Sequence, residues 1–125
     1  MNKLSVKTLI KNFLIVSVFV SVNSLATEAE ILDTSDRINQ GRVIAYERGA
    51  GNCLSCHLIV GTELPGNIGP PLIHMKLRYP ERSALISQIS DASIKNPNTL
   101  MPPYGRHNLL TDDEIELVVD FIHSL

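Results

Sequence analysis

The 125-residue chain carries 11 Lys and Arg against 13 Asp and Glu, is 44% hydrophobic and holds two cysteines. So even a balance excludes a nucleic-acid binder, which needs a basic face for the phosphates, and a protein that docks on anionic lipid. Two cysteines allow one disulfide at most, closing a tiny loop that constrains little of the unfolded chain.

The first predicted element is an export signal over 1–26. Lys3, Lys7 and Lys11 make a positive leader, Phe13 to Val22 form a ten-residue apolar run, and Ser24-Leu25-Ala26 supplies small residues for a signal peptidase. The run is too short for a membrane span, which needs about 20 apolar residues. Cleavage is expected after Ala26, with Ala29 as second choice, which places the protein in the periplasm with no membrane attachment after cleavage. Residues 27–125 then form one domain, with eight Lys and Arg against thirteen Asp and Glu. They have no Trp, one Phe (Phe121) and three Tyr (Tyr46, Tyr79, Tyr104). A domain this small is marginal on its own core, so a large apolar group that the sequence does not encode is expected to complete it.

Three helices are predicted, giving an all-α fold. The first lies in "DTSDRINQGRVIAYERGAG", capped by Asp33 or Ser35 and ended by Gly49 and Gly51. The second, "PERSALISQISDAS", has Pro80 suited to a first helical position and buries Leu85, Ile86 and Ile89. The third, "LTDDEIELVVDFIHSL", opens with Thr111 as N-cap, Glu114 completing a capping box, and Leu110 and Ile115 placed for a hydrophobic staple. Its apolar stripe is Ile115, Val118, Val119, Ile122 and Leu125. Between the helices run two Pro- and Gly-rich loops, 61–72 and 95–108.

The chemistry sits in "GNCLSCHLIVG", where Cys53 and Cys56 stand three apart with His57 directly after. A thiol–disulfide enzyme would place such a pair after a strand in a βαβ unit, and no strand is predicted there. A structural zinc site needs four ligands, and His57 is badly spaced to join Cys56 on one small ion. Covalent haem attachment uses every residue of the motif. Cysteines three apart share one side of a helical turn and can bond two vinyl groups on one porphyrin edge, while His57 offers its imidazole to iron. Haem also supplies the missing apolar bulk. The residues therefore predict one haem c, attached through Cys53 and Cys56, with His57 as an iron ligand.

The opposite iron ligand has five candidates: Met75, Met101, His74, His107 and His123. Met101 precedes Pro102-Pro103, which stiffen its loop, and a His/Met pair suits electron transfer, so Met101 is the expected ligand. Met75 reads as packing, and His123 is expected to face solvent. The Pro70 carbonyl is expected to accept the second ring nitrogen of His57, since a metal-bound histidine is normally oriented in this way.

This order of parts resembles the class I c-type cytochromes. More narrowly, "GNCLSCH", "GNIGPPL", "NPNTLMPPYG" and "LTDDEIELVVDFIHSL" resemble the SoxX family, the small monohaem subunits of SoxAX complexes of thiosulfate oxidation. The resemblance covers about residues 36–125. It implies the class I cytochrome c fold, thioethers at Cys53 and Cys56, proximal His57, distal Met101 and the Pro70 carbonyl behind the proximal ring. It departs at Gly41, which lies farther from Cys53 than the packing glycine of short class I cytochromes and reads as a tolerated helix glycine. The implied function is electron transfer within an L-cysteine S-thiosulfotransferase complex. The partners would be a SoxA-like cytochrome subunit, a SoxYZ-like carrier and a downstream soluble cytochrome; the chain would not be the catalytic subunit. Lys76, Arg78, Arg82 and Arg106 are expected near the haem edge and could steer docking. The other readings are a stand-alone electron carrier serving another redox enzyme and a haem-based ligand sensor, which would need an open iron.

Overall fold

The computed structural model describes residues 33–125; the expected export signal and both cleavage points lie outside them. Four α-helices occur among the described residues: α1 over 33–46, α2 (Met75–Arg78), α3 (Arg82–Ser90) and α4 (Asp112–His123). Two 3₁₀ turns, Cys53–Ser55 and Ala92–Ile94, complete the regular structure, and no strand is present among these residues. Residues 36–125 form one compact unit; of the other, Met1–Ser35, only the helical residues 33–35 are described.

α4 is the central element. Thr111 caps it by accepting the Glu114 N–H, and the Glu114 carboxylate accepts the Thr111 N–H in return, so the expected box is formed. The predicted stripe is buried at Ile115, Val118, Val119 and Ile122, and Phe121 is buried as well. Each such side chain contributes roughly 2 kcal/mol relative to exposure. α3 lies against α4 through Leu85 and Ile89, with Ile86 only partly covered. Across this junction Arg82 donates to Glu116 and to Asp120, which also takes Arg37 of α1 at 2.6 Å.

α1 crosses α4 at Gly41, and here the sequence expectation is corrected. Gly41 is buried, and a Cβ built on it would stand 1.9 Å from the Leu117 carbonyl oxygen and 3.0 Å from the Phe121 Cβ. No side chain fits between the helices, so this glycine is a packing residue rather than a tolerated one. One turn later the Tyr46 ring meets Phe121 edge-on, with centroids 5.7 Å apart at 82°.

Helix starts differ from expectation at two places. Asp33 and Ser35 are themselves helical, so neither is the N-cap expected for α1. Pro80 precedes the cap Glu81 instead of occupying the first helical position of α3. The one-turn helix α2 was not predicted; a single turn is too short to show periodicity.

Candidate functional site

The chain leaves α1 through a tight turn in which the Gly51 N–H returns to the Ile44 carbonyl at 3.0 Å, directly ahead of Cys53. The Cys53–Ser55 turn is helical, and both the Cys56 N–H (3.2 Å) and the His57 N–H (2.9 Å) donate to the Cys53 carbonyl. That places Cys53, Cys56 and His57 along the wall of one cavity of about 330 Å³. The following loop runs back along this turn, held by Gly66 N–H to Leu54 O at 2.7 Å, Gly69 N–H to Cys56 O at 2.8 Å and Leu72 N–H to Leu58 O at 2.8 Å. These bonds explain why a segment rich in glycine and proline is ordered: its backbone groups are paired with the cysteine turn.

The His57 ring is fixed from two sides. Its Nδ1 lies 2.7 Å from the Pro70 carbonyl oxygen. A carbonyl only accepts, so Nδ1 carries a proton and Nε2 is the nitrogen left to act as a ligand. Against the ring stands Gly69, where a Cβ would fall 2.4 Å from Cε1 and 2.6 Å from Nδ1. The hydrogen bond expected from Pro70 is therefore present, and the glycine before it is what lets the imidazole lie flat against the loop.

The cavity floor is apolar, formed by Leu72, Met75, Leu85, Ile89, Val118 and Ile122 from three helices and the loop. Met101 lines the cavity on the 95–108 segment, half-buried, with its N–H bonded to Thr99 Oγ1 at 3.1 Å. The segment is tied down by Tyr104, a residue the sequence analysis did not single out. Its hydroxyl donates to the Gly51 carbonyl at 2.5 Å, which joins the methionine loop to the turn before Cys53. Burial is the main reason its phenol is pushed up to about 12, with the two cysteines adding to the shift.

The remaining ligand candidates are separated by position. His74, His107 and His123 do not line the cavity. His123 is half-buried, and its Nε2 meets the Tyr79 carbonyl at 2.9 Å, so it does not simply face solvent as expected. Met75 lines the floor at 1% exposure, with its sulfur 3.4 Å from an Arg78 Nη1. Of the four cations expected near the edge, Arg82 is paired with Glu116 and Asp120 and Arg106 with Asp91, which leaves them little charge to offer a partner.

Thiol and zinc chemistry both fit poorly. Cys53 is half-buried and its thiol is pushed up to about 11, chiefly by burial and further by Cys56, against a backbone hydrogen bond that lowers it. A redox-active cysteine needs the opposite shift. Among the described residues no group of three or more His, Cys, Asp or Glu could hold a metal ion, so the zinc site has no donor set there. Two sulfurs and an imidazole on one wall of an apolar cavity do fit a porphyrin.

Residues 37–122 match the family model described as "Cytochrome C oxidase, cbb3-type, subunit III". The chain belongs to this cytochrome c family. The cytochrome carries one covalently attached haem c, for which Cys53 and Cys56 are the available cysteines. Among solved structures it is similar to a chain in the crystal structure of SoxXA from P. pantotrophus, at 26% identity and a TM-score of 0.62. That alignment covers 69% of this chain and 79% of the other. No curated protein matches the chain. The expected class I cytochrome c fold and the SoxX-like character are thus both found, and the chain is a haem electron-transfer protein.

Proposed function

We propose that this cytochrome is the electron-accepting subunit of a periplasmic SoxA-containing complex of thiosulfate oxidation. It would take electrons one at a time as thiosulfate is joined to a cysteine of a SoxYZ-like carrier, and pass them to a soluble cytochrome. The observation that carries this reading is the likeness to SoxXA over most of both chains, around a cavity that brings Cys53, Cys56, His57 and Met101 together. When bound, the haem iron supplies a one-electron couple.

Each residue has a role in holding that group. Cys53 and Cys56 anchor it covalently. His57, whose Nδ1–H is held by the Pro70 carbonyl, would present Nε2 as the proximal ligand. Met101, which lines the same cavity, would give its sulfur to the iron; the Met75 sulfur already contacts Arg78, so it serves as floor. The Leu72, Leu85, Ile89 and Val118 side chains exclude water. His/Met ligation favours electron transfer and leaves no iron position for a substrate. Export is part of this reading, since the leader over 1–26 has the form of a cleaved signal.

The test is the visible spectrum of the exported holoprotein followed by co-purification with a SoxA-like subunit. The weak long-wavelength methionine–iron band should appear, be lost in Met101→Leu and persist in Met75→Leu. Loss of the band in Met75→Leu alone would reverse the ligand assignment. A second reading, a stand-alone carrier feeding an oxidase, is favoured by the description of the matched family. It predicts a monomer that reduces a terminal oxidase and binds no SoxA-like protein.

A further inference from the structure

Met101 stands in a segment whose internal contacts do not tie it to the rest of the molecule. The hydrogen bonds of 96–101 run within the segment or back to the turn before it. Asn96 N–H donates to the Ala92 carbonyl at 3.1 Å, Thr99 N–H to the Asn96 carbonyl at 3.0 Å and Met101 N–H to Thr99 Oγ1 at 3.1 Å. Pro102 and Pro103 then have no N–H to offer. Where Met101 sits is therefore decided by the anchors that follow it. One is the Tyr104 hydroxyl on the Gly51 carbonyl. The other is the point where the segment returns to the end of α3. There the Gly105 and Arg106 N–H groups share the Ser90 carbonyl, at 3.1 and 3.3 Å. Both bonds are longer than most amide bonds, so the backbone alone closes this end weakly.

The Arg106 side chain completes the closure. Its Nη1 pairs with Asp91 Oδ2 at 3.1 Å and donates to Ser93 Oγ at 3.3 Å. Asp91 is fixed in turn, its Oδ1 accepting the Ser93 N–H at 3.0 Å and the Ser93 hydroxyl at 2.5 Å. The Asp91 side chain is 13% exposed. The Ser93 hydroxyl is the main reason its carboxyl is held below the ordinary value, with the Ser93 N–H, Arg106 and His107 adding to the shift against burial. We propose that the Asp91–Arg106 pair positions Met101, clamping the two ends of its segment so that the sulfur stays on the cavity wall and the distal iron position stays shut to outside ligands. This rests on Met101 being the iron ligand. Neither Asp91 nor Arg106 lines the cavity, so the pair acts only through the segment. A contact that closes a loop withholds the chain entropy that opening would release. Without it, this end of the segment hangs on one shared carbonyl.

Imidazole competes with a methionine sulfur for ferric haem iron, and its entry requires the segment to lift. The experiment titrates the ferric holoprotein with imidazole, read by loss of the methionine–iron band, alongside urea unfolding. The proteins are wild type, Asp91→Asn, Arg106→Gln, their double variant and Arg106→Lys. Asp91→Asn keeps an oxygen for Ser93 and removes only the charge. Each single variant that breaks the pair should bind imidazole about fivefold more tightly than wild type, the upper end for a part-exposed ion pair. The double variant should bind no more tightly than either, because all three lose the same contact. Arg106→Lys keeps the charge and should restore most of the wild-type resistance. Wild-type imidazole affinity in both single variants, with only the urea midpoint lowered, would make this an ordinary surface ion pair and overturn the proposal. Single effects that multiply in the double variant would overturn it too. Should Asp91→Asn fail to mature, Arg106→Gln decides: tighter imidazole binding that Arg106→Lys reverses supports the clamp, and unchanged binding overturns it. Wild-type holoprotein without the band would overturn the Met101 assignment and the clamp with it, a result seen in wild type alone and so separable from an unchanged variant.

Discussion

Replacing Gly41 by Ala tests the helix crossing on which the fold depends. The new methyl would sit 1.9 Å from the Leu117 carbonyl oxygen, 2.5 Å from its carbon and 3.0 Å from the Phe121 Cβ. Two of these neighbours are backbone atoms of α4, which no rotamer change can move. α1 and α4 must therefore separate, loosening the Tyr46–Phe121 edge contact and the Arg37–Asp120 pair above and below the crossing. Overpacking costs about 1–3 kcal/mol, and a backbone obstacle puts this case at the upper end. Against it, alanine is about 1 kcal/mol better than glycine inside a helix. The net expectation is a loss of about 2 kcal/mol, or a melting temperature lower by roughly 8–16 °C in a domain of this size. Urea and thermal unfolding of the holoprotein, followed by circular dichroism, measure it. The two terms have opposite signs, so the outcome is decisive: a melting point at or above wild type would mean that helix propensity acts alone and α1 does not meet α4 at Gly41.

Other substitutions test the site and its supports. Gly69→Ala puts a methyl into the His57 ring, so the Nδ1–Pro70 bond should break and holoprotein yield, read by haem staining against total protein, should fall about tenfold, as for losses of similar orienting partners. Tyr104→Phe removes the bond to the Gly51 carbonyl and should cost about 1–2 kcal/mol in urea unfolding; a stability equal to wild type would mean that water replaces the phenol. Thr111→Ala should cost about 1 kcal/mol and alter the acid limb of stability. The Glu114 carboxylate is held below its ordinary value by the Thr111 N–H and then by the Thr111 hydroxyl. Its contribution is therefore present above the unfolded value near 4.5 and is lost as pH falls through the lower folded value. Between about pH 5 and pH 3 the urea midpoint should fall less steeply in Thr111→Ala than in wild type.

What could be read in advance follows from the range over which each signal acts. The capping box at Thr111 and Glu114 is a contact over three residues, and the stripe of α4 repeats within twelve, so both were legible. The Cys-x-x-Cys-His turn is equally local, because one carbonyl, that of Cys53, accepts both following N–H groups. Gly41 was misread for the converse reason. Its partner, Leu117, lies 76 residues away, and nothing around Gly41 distinguishes a glycine that admits a second helix from one that is merely tolerated. Helix starts failed for a smaller reason: Asp33 and Ser35 suit a cap and Pro80 a first turn, and such local preferences fix a boundary only to within a residue or two.

The site divides along the same line. His57 and Pro70 were linked in advance because a ligating imidazole needs an acceptor behind it, and a rigid proline carbonyl thirteen residues on is one. Tyr104 was not assigned its role, because its partner is a backbone carbonyl, that of Gly51, and every residue carries one. Composition nevertheless foretold that something was missing. A domain with one Phe and no Trp over residues 27–125 has little bulk with which to fill itself. Helices α2, α3 and α4 and two loops instead close around a cavity of about 330 Å³ whose floor is aliphatic and whose wall carries both cysteines. That cavity is not a packing failure in the finished molecule, since a covalently held apolar ring completes the core while it carries the electron. The same group therefore serves stability and function, and any substitution that spoils its seating, from Gly69 to Tyr104, should register in unfolding and in the spectrum together.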